Sequence, residues 1–190
     1  MGFFGLVLTY LSSFSLEEDT SLSRLMGTEG LAILFLIFAL EFSKGTLQED
    51  KARKKIEFVL ANGLGIEFLV IKYFGAIYLA SLLTLLPAFI FFAFNTRIGV
   101  PEIFNFLLTS GLYTNFLILK ILNTVNMNKM ARLQNKIILL GVLILMVSIN
   151  IYIFTSMIKL YLISKFLILF AINIFVALRT NKERIGVTYF

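Results

Sequence analysis

Several residue types that dominate enzyme chemistry are missing from this sequence. The chain has no Cys and no His, which excludes disulfides, thiolate chemistry, Ser-His and Cys-His nucleophile pairs, and most zinc, copper and haem sites. It also lacks the G-x-x-x-x-G-K-[ST] loop whose backbone amides hold phosphate. The segment Ser43-Lys44-Gly45-Thr46 has similar residues in the wrong order. We therefore predict no catalytic residue, no metal site and no bound cofactor in this chain.

Glu41 is the acid whose position most favours a function. It is flanked by aromatic and aliphatic residues near the end of an apolar run, close to the membrane zone where charges are costly and often functional. Two interpretations are open: Glu41 reaches headgroup water or pairs with Lys44 or Lys120, or it takes part in gating or helix pairing. The other acids are scattered, and the cluster at residues 17–19 is typical of a solvated loop.

The composition indicates the elements that must position these residues. Of the 190 residues, 59% are hydrophobic and 15% are charged, which is more apolar surface than one soluble core of this length can hide. A helix needs roughly 20 apolar residues to cross a bilayer. The apolar runs lie at residues 1–16, 30–43, 68–94, 103–121, 137–155 and 160–178. The sequence thus predicts an all-α integral membrane protein, a single domain over 1–190 built as a six-helix transmembrane bundle.

The basic residues predict the orientation of this bundle. Lys and Arg are concentrated in segments 44–55, 120–136 and 179–184, and the positive-inside rule places those segments in the cytoplasm. The opposite loops hold Arg24, Arg97 and Lys159, with Lys165 expected to snorkel from the last span. We expect a multi-pass protein of the cell membrane with both termini cytoplasmic. The net charge of +6 then reflects loop topology, and we expect no nucleic-acid partner.

A short amphipathic helix is predicted at residues 55–62, between the second and third spans. Apolar side chains recur at positions 56, 59 and 60, and Asn62-Gly63 ends the helix. Two interpretations are open: an interfacial helix resting on headgroups, or a docking helix for a cytoplasmic partner. In the second, the docking residues are Lys55, Ile56, Glu57, Phe58, Val59, Leu60, Ala61 and Asn62.

These residues resemble the signature of ABC-2 type exporter permeases. In that family an acid and a Gly-Thr-Leu or Gly-Thr-Ile close the second span, a segment like Glu-x-Leu-Leu-Ala-x-Pro follows, and a Lys opens the third span. The corresponding residues here are Glu41, Gly45, Thr46, Gly63 and Lys72, with Gly63 standing where the family has Pro. The match covers about 30 residues.

The resemblance implies a function that needs partners. Two permeases, identical or different, would pair in the lipid bilayer, and each would receive a cytoplasmic ABC ATPase, which binds ATP and Mg, on its coupling helix at 55–62. The pair would export a hydrophobic or amphipathic solute such as a peptide, drug or lipid. Two alternatives remain: a haem-exporter-like permease of cytochrome c maturation, and a non-transporting membrane scaffold or immunity protein. A lipid-modifying enzyme is disfavoured because no acids, His or Cys cluster in the sequence.

Overall fold

The computed structural model describes residues 20–124, 130–155, 157–180 and 185. All regular elements within these ranges are helical, which confirms the predicted all-α class. The helices are α1 (Thr20–Ser43), a π-helical segment (Lys44–Gln48), α2 (Glu49–Ala52), α3 (Lys55–Ala61), α4 (Ile66–Thr96), α5 (Val100–Leu122), α6 (Met130–Thr155) and α7 (Ile158–Leu178). The predicted first span, residues 1–16, lies outside the described residues.

Five helical segments in the described ranges are long and apolar enough to cross a membrane. They contain α1, α4, α5, α6 and α7. Each includes one of the predicted spans from 30–43 to 160–178 and extends beyond it, most of all the first, Arg24–Ala52. Their outer faces carry large apolar side chains: Phe94, Phe154 and Leu178 are 82–86% exposed. A chain with this much uncovered apolar surface belongs in lipid.

The centre of the bundle is formed by α1 and α5. The α1 helix packs against α4, α5 and α6, the α5 helix also contacts α4 and α7, and α6 pairs with α7. Most of α5 is buried, whereas α4, α6 and α7 expose most of their residues. The Phe35 and Phe106 rings meet edge to face where α1 crosses α5, with centroids 6.1 Å apart. Lipid-facing helices therefore surround a two-helix core.

The bundle has two chemically different ends. We call the end that carries the π-helical segment, α2 and α3 the Lys51 end; α1 and α5 finish there. We call the opposite end, where α5 and α7 start, the Glu29 end. Polar contacts between helices occur at each end. At the Lys51 end, Lys51 donates a hydrogen bond to the carbonyl of Ile121. At the Glu29 end, Lys165 contacts Glu29.

Candidate functional site

Glu41 lies at the end of α1 on the surface of the protein. Its carboxylate pairs with the Lys44 ammonium at 2.5 Å, and the two side chains are 68% and 48% exposed. One of the partners considered for Glu41 is thus its partner in the fold. Exposed pairs of this kind contribute little to stability. The gating role of Glu41 stays a prediction.

The family-like Gly45 and Thr46 lie in the π-helical segment that follows α1. A π turn widens a helix locally and is frequent at functional sites. The Thr46 hydroxyl donates to the carbonyl of Phe42 at 2.8 Å, whereas Leu47 and Gln48 turn into the bundle and are buried. Among the described residues, a Cβ at Gly45 would meet no atom within 4 Å. That part of the chain therefore gives no steric reason for glycine there.

Asp50 joins the α2 turn to two neighbouring elements. Its carboxylate accepts hydrogen bonds from the Lys55 ammonium at 2.9 Å and from the Tyr73 hydroxyl at 2.8 Å. These bonds tie the beginning of α3 and the first turns of α4 to one acid. A displacement of α3 would therefore act on α4 through Asp50.

Lys51 is buried beside Asp50 and points into the bundle. It is 3% exposed, and its ammonium donates to the carbonyls of Ile121 and Leu122. The last carbonyls of a helix have no partner within that helix, and a cation near them is favourable. Lys51 thus caps α5 from another helix. In the sequence Lys51 counted only as one of the basic residues that set topology.

The α3 helix occupies the segment predicted to be helical at 55–62. Lys54 precedes it with φ 59°, and Gly63 follows it with φ 87°, so a left-handed residue sets each bend of the chain. The Asn62 side chain donates to the carbonyl of Phe58 and closes the last turn. This short helix is therefore a bounded element set off from α2 and α4 by sharp turns.

The side chains of α3 divide between the bundle and its surroundings. Ile56 is 1% exposed, and Val59 and Leu60 pack against the same core. Phe58 points away and is 72% exposed. Ile56 thus anchors α3 to the bundle, and Phe58 is open to its surroundings. The docking role stays a prediction for every residue of the set at 55–62.

Lys72, the last signature residue, lies on the exposed side of α4. Its ammonium is 5.7 Å from the centroid of the neighbouring Tyr73 ring. Because Tyr73 in turn bonds Asp50, Lys72 belongs to the same polar group at the Lys51 end. The signature residues thus collect at one end of the bundle, around the start of α4 and the end of α1.

A buried ion pair, which the sequence did not predict, lies at the Glu29 end. The Lys165 ammonium is 2.5 Å from the Glu29 carboxylate, and the two side chains are 0% and 2% exposed. The expectation that Lys165 snorkels to the membrane surface is therefore wrong. The physical reason is that Lys165 has an acid on α1 within reach inside the bundle, which compensates its charge without water.

Asn105 of α5 completes this cluster. Its amide donates to Glu29 at 3.0 Å, and its carbonyl oxygen accepts from Lys165 at 2.5 Å. The Thr109 hydroxyl, one turn further along α5, contacts the same carbonyl oxygen at 3.5 Å. Three helices thus meet at one charged site. The signal in the sequence was a Lys within an apolar run, but its partners lie 60 and 136 residues away.

A shallow groove lies between α4, α5 and α7 towards the Lys51 end. Its volume is about 320 Å³, and five of the residues that line it are apolar: Ile66, Val70, Ile71, Leu119 and Ala177. The other three, Glu67, Asn115 and Thr180, are polar. Apolar walls with a few polar groups suit an amphipathic molecule.

The described residues contain no cluster of acids that could hold a metal ion. No protein-family model, curated protein or solved structure matches this chain. Membership of the ABC-2 permease family, suggested by residues 41–73, therefore stays a prediction. The features that bear on function are the polar group at the Lys51 end, the Glu29–Lys165 pair and the α5 helix between them.

Proposed function

We propose that this chain is the transmembrane subunit of an ABC-2 type exporter that moves a hydrophobic or amphipathic solute across the cell membrane. The energy would come from ATP hydrolysed with Mg by a separate cytoplasmic ABC ATPase. A second permease, identical or different, would complete the transport unit. The Lys51 end would face the cytoplasm, because the Lys-rich segment 44–55 belongs to it.

The observation that carries this proposal is the construction of α3. A helix that passes force between a partner and a bundle needs an outward contact and a firm inward attachment. Phe58 supplies the outward contact with 72% of its surface uncovered. The inward attachment consists of buried Ile56, the bond from Lys55 to Asp50 and the bonds from Lys51 to the end of α5. An interfacial helix resting on headgroups requires no such connections.

The first prediction is that Phe58→Ala weakens ATPase binding without unfolding the permease. An exposed side chain contributes little to the folded chain, whereas truncating a central interface residue costs about 2 kcal/mol or more, which is roughly thirtyfold in affinity. The measurement is the ATPase that co-purifies with the tagged permease from its native membrane, together with the inserted amount and export in cells.

Phe94→Ala is the matched control. Phe94 is as exposed as Phe58, at 82%, but lies near the end of α4 at the Glu29 end. We expect it to leave ATPase binding unchanged. If no ATPase accompanies the unmodified permease under gentle detergent conditions, the exporter proposal fails, and a scaffold or immunity protein becomes the better interpretation. Equal binding by the two variants would remove α3 from the docking role.

A further inference from the structure

The α5 helix is held near both ends by buried polar contacts to other helices. At the Lys51 end, the Lys51 ammonium donates to the last carbonyls of α5. At the Glu29 end, Asn105 bonds both members of the buried ion pair. The 17 residue steps from 105 to 122 correspond to roughly 25 Å of helix at a rise of 1.5 Å per residue. The α5 helix thus connects α2, which precedes α3 and contains Lys51, to the Glu29–Lys165 pair.

Asn105 is placed to decide whether the ion pair is well compensated. Charges removed from water repay their desolvation only where further hydrogen bonds satisfy them. Asn105 gives Glu29 a second donor and Lys165 a second acceptor. Its two bonds measure 3.0 and 2.5 Å, so a movement of α5 that lengthens the longer one by about 1 Å would break it. A small movement of α5 therefore changes a large local interaction.

The body of α5 is suited to carrying such a movement. Its buried residues run from Asn105 to Leu122, and it lies between α1, α4 and α7. Packed, rigid elements that contact two distant sites can carry coupling between them. α5 is such an element, because its last carbonyls accept from Lys51 and its Asn105 bonds both members of the ion pair.

We propose that Asn105 is a positioning residue that holds the Glu29–Lys165 pair closed, and that α5 carries displacement of the Lys51 segment to that pair. In the exporter this links the ATPase side to the opposite half of the bundle, and to that extent the inference rests on the proposed function. The physical link between Lys51 and the ion pair is a property of the chain alone. It can therefore be tested without an ATPase.

The absence of Cys from the sequence makes a distance measurement direct. Val100, at the start of α5, and Lys159, at the start of α7, are both exposed. Spin labels on Val100→Cys and Lys159→Cys report the separation of these two helices at the Glu29 end, in the full chain in lipid nanodiscs. We expect Asn105→Leu to broaden or shift the distance distribution. Lys51→Met, at the other end of α5, should do the same, and Lys51→Arg should restore the parental distribution.

Thr114→Val is the control on the same helix. Thr114 is buried, but in the described part of the chain its hydroxyl bonds a carbonyl of its own helix, that of Ser110, so the distribution should stay parental. If Asn105→Leu fails to insert, Asn105→Ser removes the bridge with a smaller side chain and takes its place. A distribution that Asn105→Leu alters and Lys51→Met leaves unchanged would refute the link through α5. If Asn105→Leu and Thr114→Val give the same distance distribution, Asn105 does not position the ion pair.

Export in cells is a second measurement, and it is compared with membrane insertion and ATPase binding in the same variants. In cells, Lys51→Met should lose export while keeping membrane insertion and ATPase binding, and Lys51→Arg should recover it. Loss of ATPase binding in Phe58→Ala tests the exporter function separately. Normal export by Lys51→Met would overturn the inference and leave the proposed function standing.

Discussion

Three lysines show how strongly the surroundings of a side chain change its contribution to stability. Lys44 pairs with Glu41 at the surface, where water already solvates both charges and the pair contributes under about 1 kcal/mol. Lys51 is buried and caps a helix. Lys165 is buried against Glu29, where the removal of one partner leaves a charge uncompensated. The same charge is therefore dispensable at one position and critical at another.

At this scale we predict that Glu29→Gln destabilises the bundle far more than Glu41→Gln. Breaking a buried pair by removing one member costs about 3–5 kcal/mol, because the Lys165 ammonium would stay buried without its counter-charge. The double variant Glu29→Gln with Lys165→Met should cost less than the sum of the single changes. Thermal unfolding in micelles, followed by circular dichroism, measures these differences. Equal melting temperatures for the two Glu variants would show that the buried pair contributes nothing.

At the scale of elements, α1 and α4 approach each other closely at the Glu29 end. A Cβ at Gly27 would overlap the ring of Phe92, and Phe92 is 1% exposed, so the ring has little free space to move into. Small residues at helix contacts allow such close approach in membrane bundles. A Cβ at Gly30, one turn later on the same helix, would meet no atom of the described residues within 4 Å.

This pair of glycines gives a matched prediction. Gly27→Ala should destabilise the chain by about 1–3 kcal/mol, the usual cost of forcing extra volume into a packed site. Gly30→Ala should be neutral or stabilise by up to about 1 kcal/mol, because Ala favours helix over Gly. Thermal unfolding of the two variants against the parent checks the difference. A Gly27→Ala variant as stable as Gly30→Ala would mean that α1 and α4 are further apart than described.

At the scale of the whole molecule, the distribution of charge predicts how the bundle lies in the membrane. Lys44, Lys51, Lys54 and Lys55 all belong to the Lys51 end, and an excess of Lys and Arg is typical of cytoplasmic segments. The α3 helix at that end would then be accessible to a cytoplasmic partner. The Glu29–Lys165 pair would lie towards the outer leaflet.

Single Cys probes test this orientation. With a membrane-impermeant maleimide on intact cells, Met157→Cys should be labelled, and Ala52→Cys should be labelled only after permeabilisation. Both positions are exposed on the protein, so a difference in labelling reports the side of the membrane. Labelling of Ala52→Cys in intact cells would invert the topology and remove α3 from the reach of any cytoplasmic ATPase.

The sequence by itself determined the helical class and the approximate positions of five of the predicted spans. Hydropathy and residue period are local properties, so the runs 30–43 to 160–178 could be identified without knowing what they contact. The turn at Asn62-Gly63 was predictable for the same reason, since Gly63 adopts a positive φ that disfavours other residues. The resemblance of residues 41–73 to ABC-2 permeases was local as well, and the fold leaves it untested.

Only the tertiary structure decided which charges are paired. Lys165 meets Glu29 across 136 residues, because α7 packs near α1. Lys51 meets Ile121 across 70 residues, because α2 lies against the end of α5. A local pattern contains no information on which faces meet, so Lys165 was expected at the membrane surface and Lys51 was counted only as a topology signal. Burial then turns these two lysines into the contacts on which the α5 proposal depends, because an ammonium group shielded from water must take its partners from the protein.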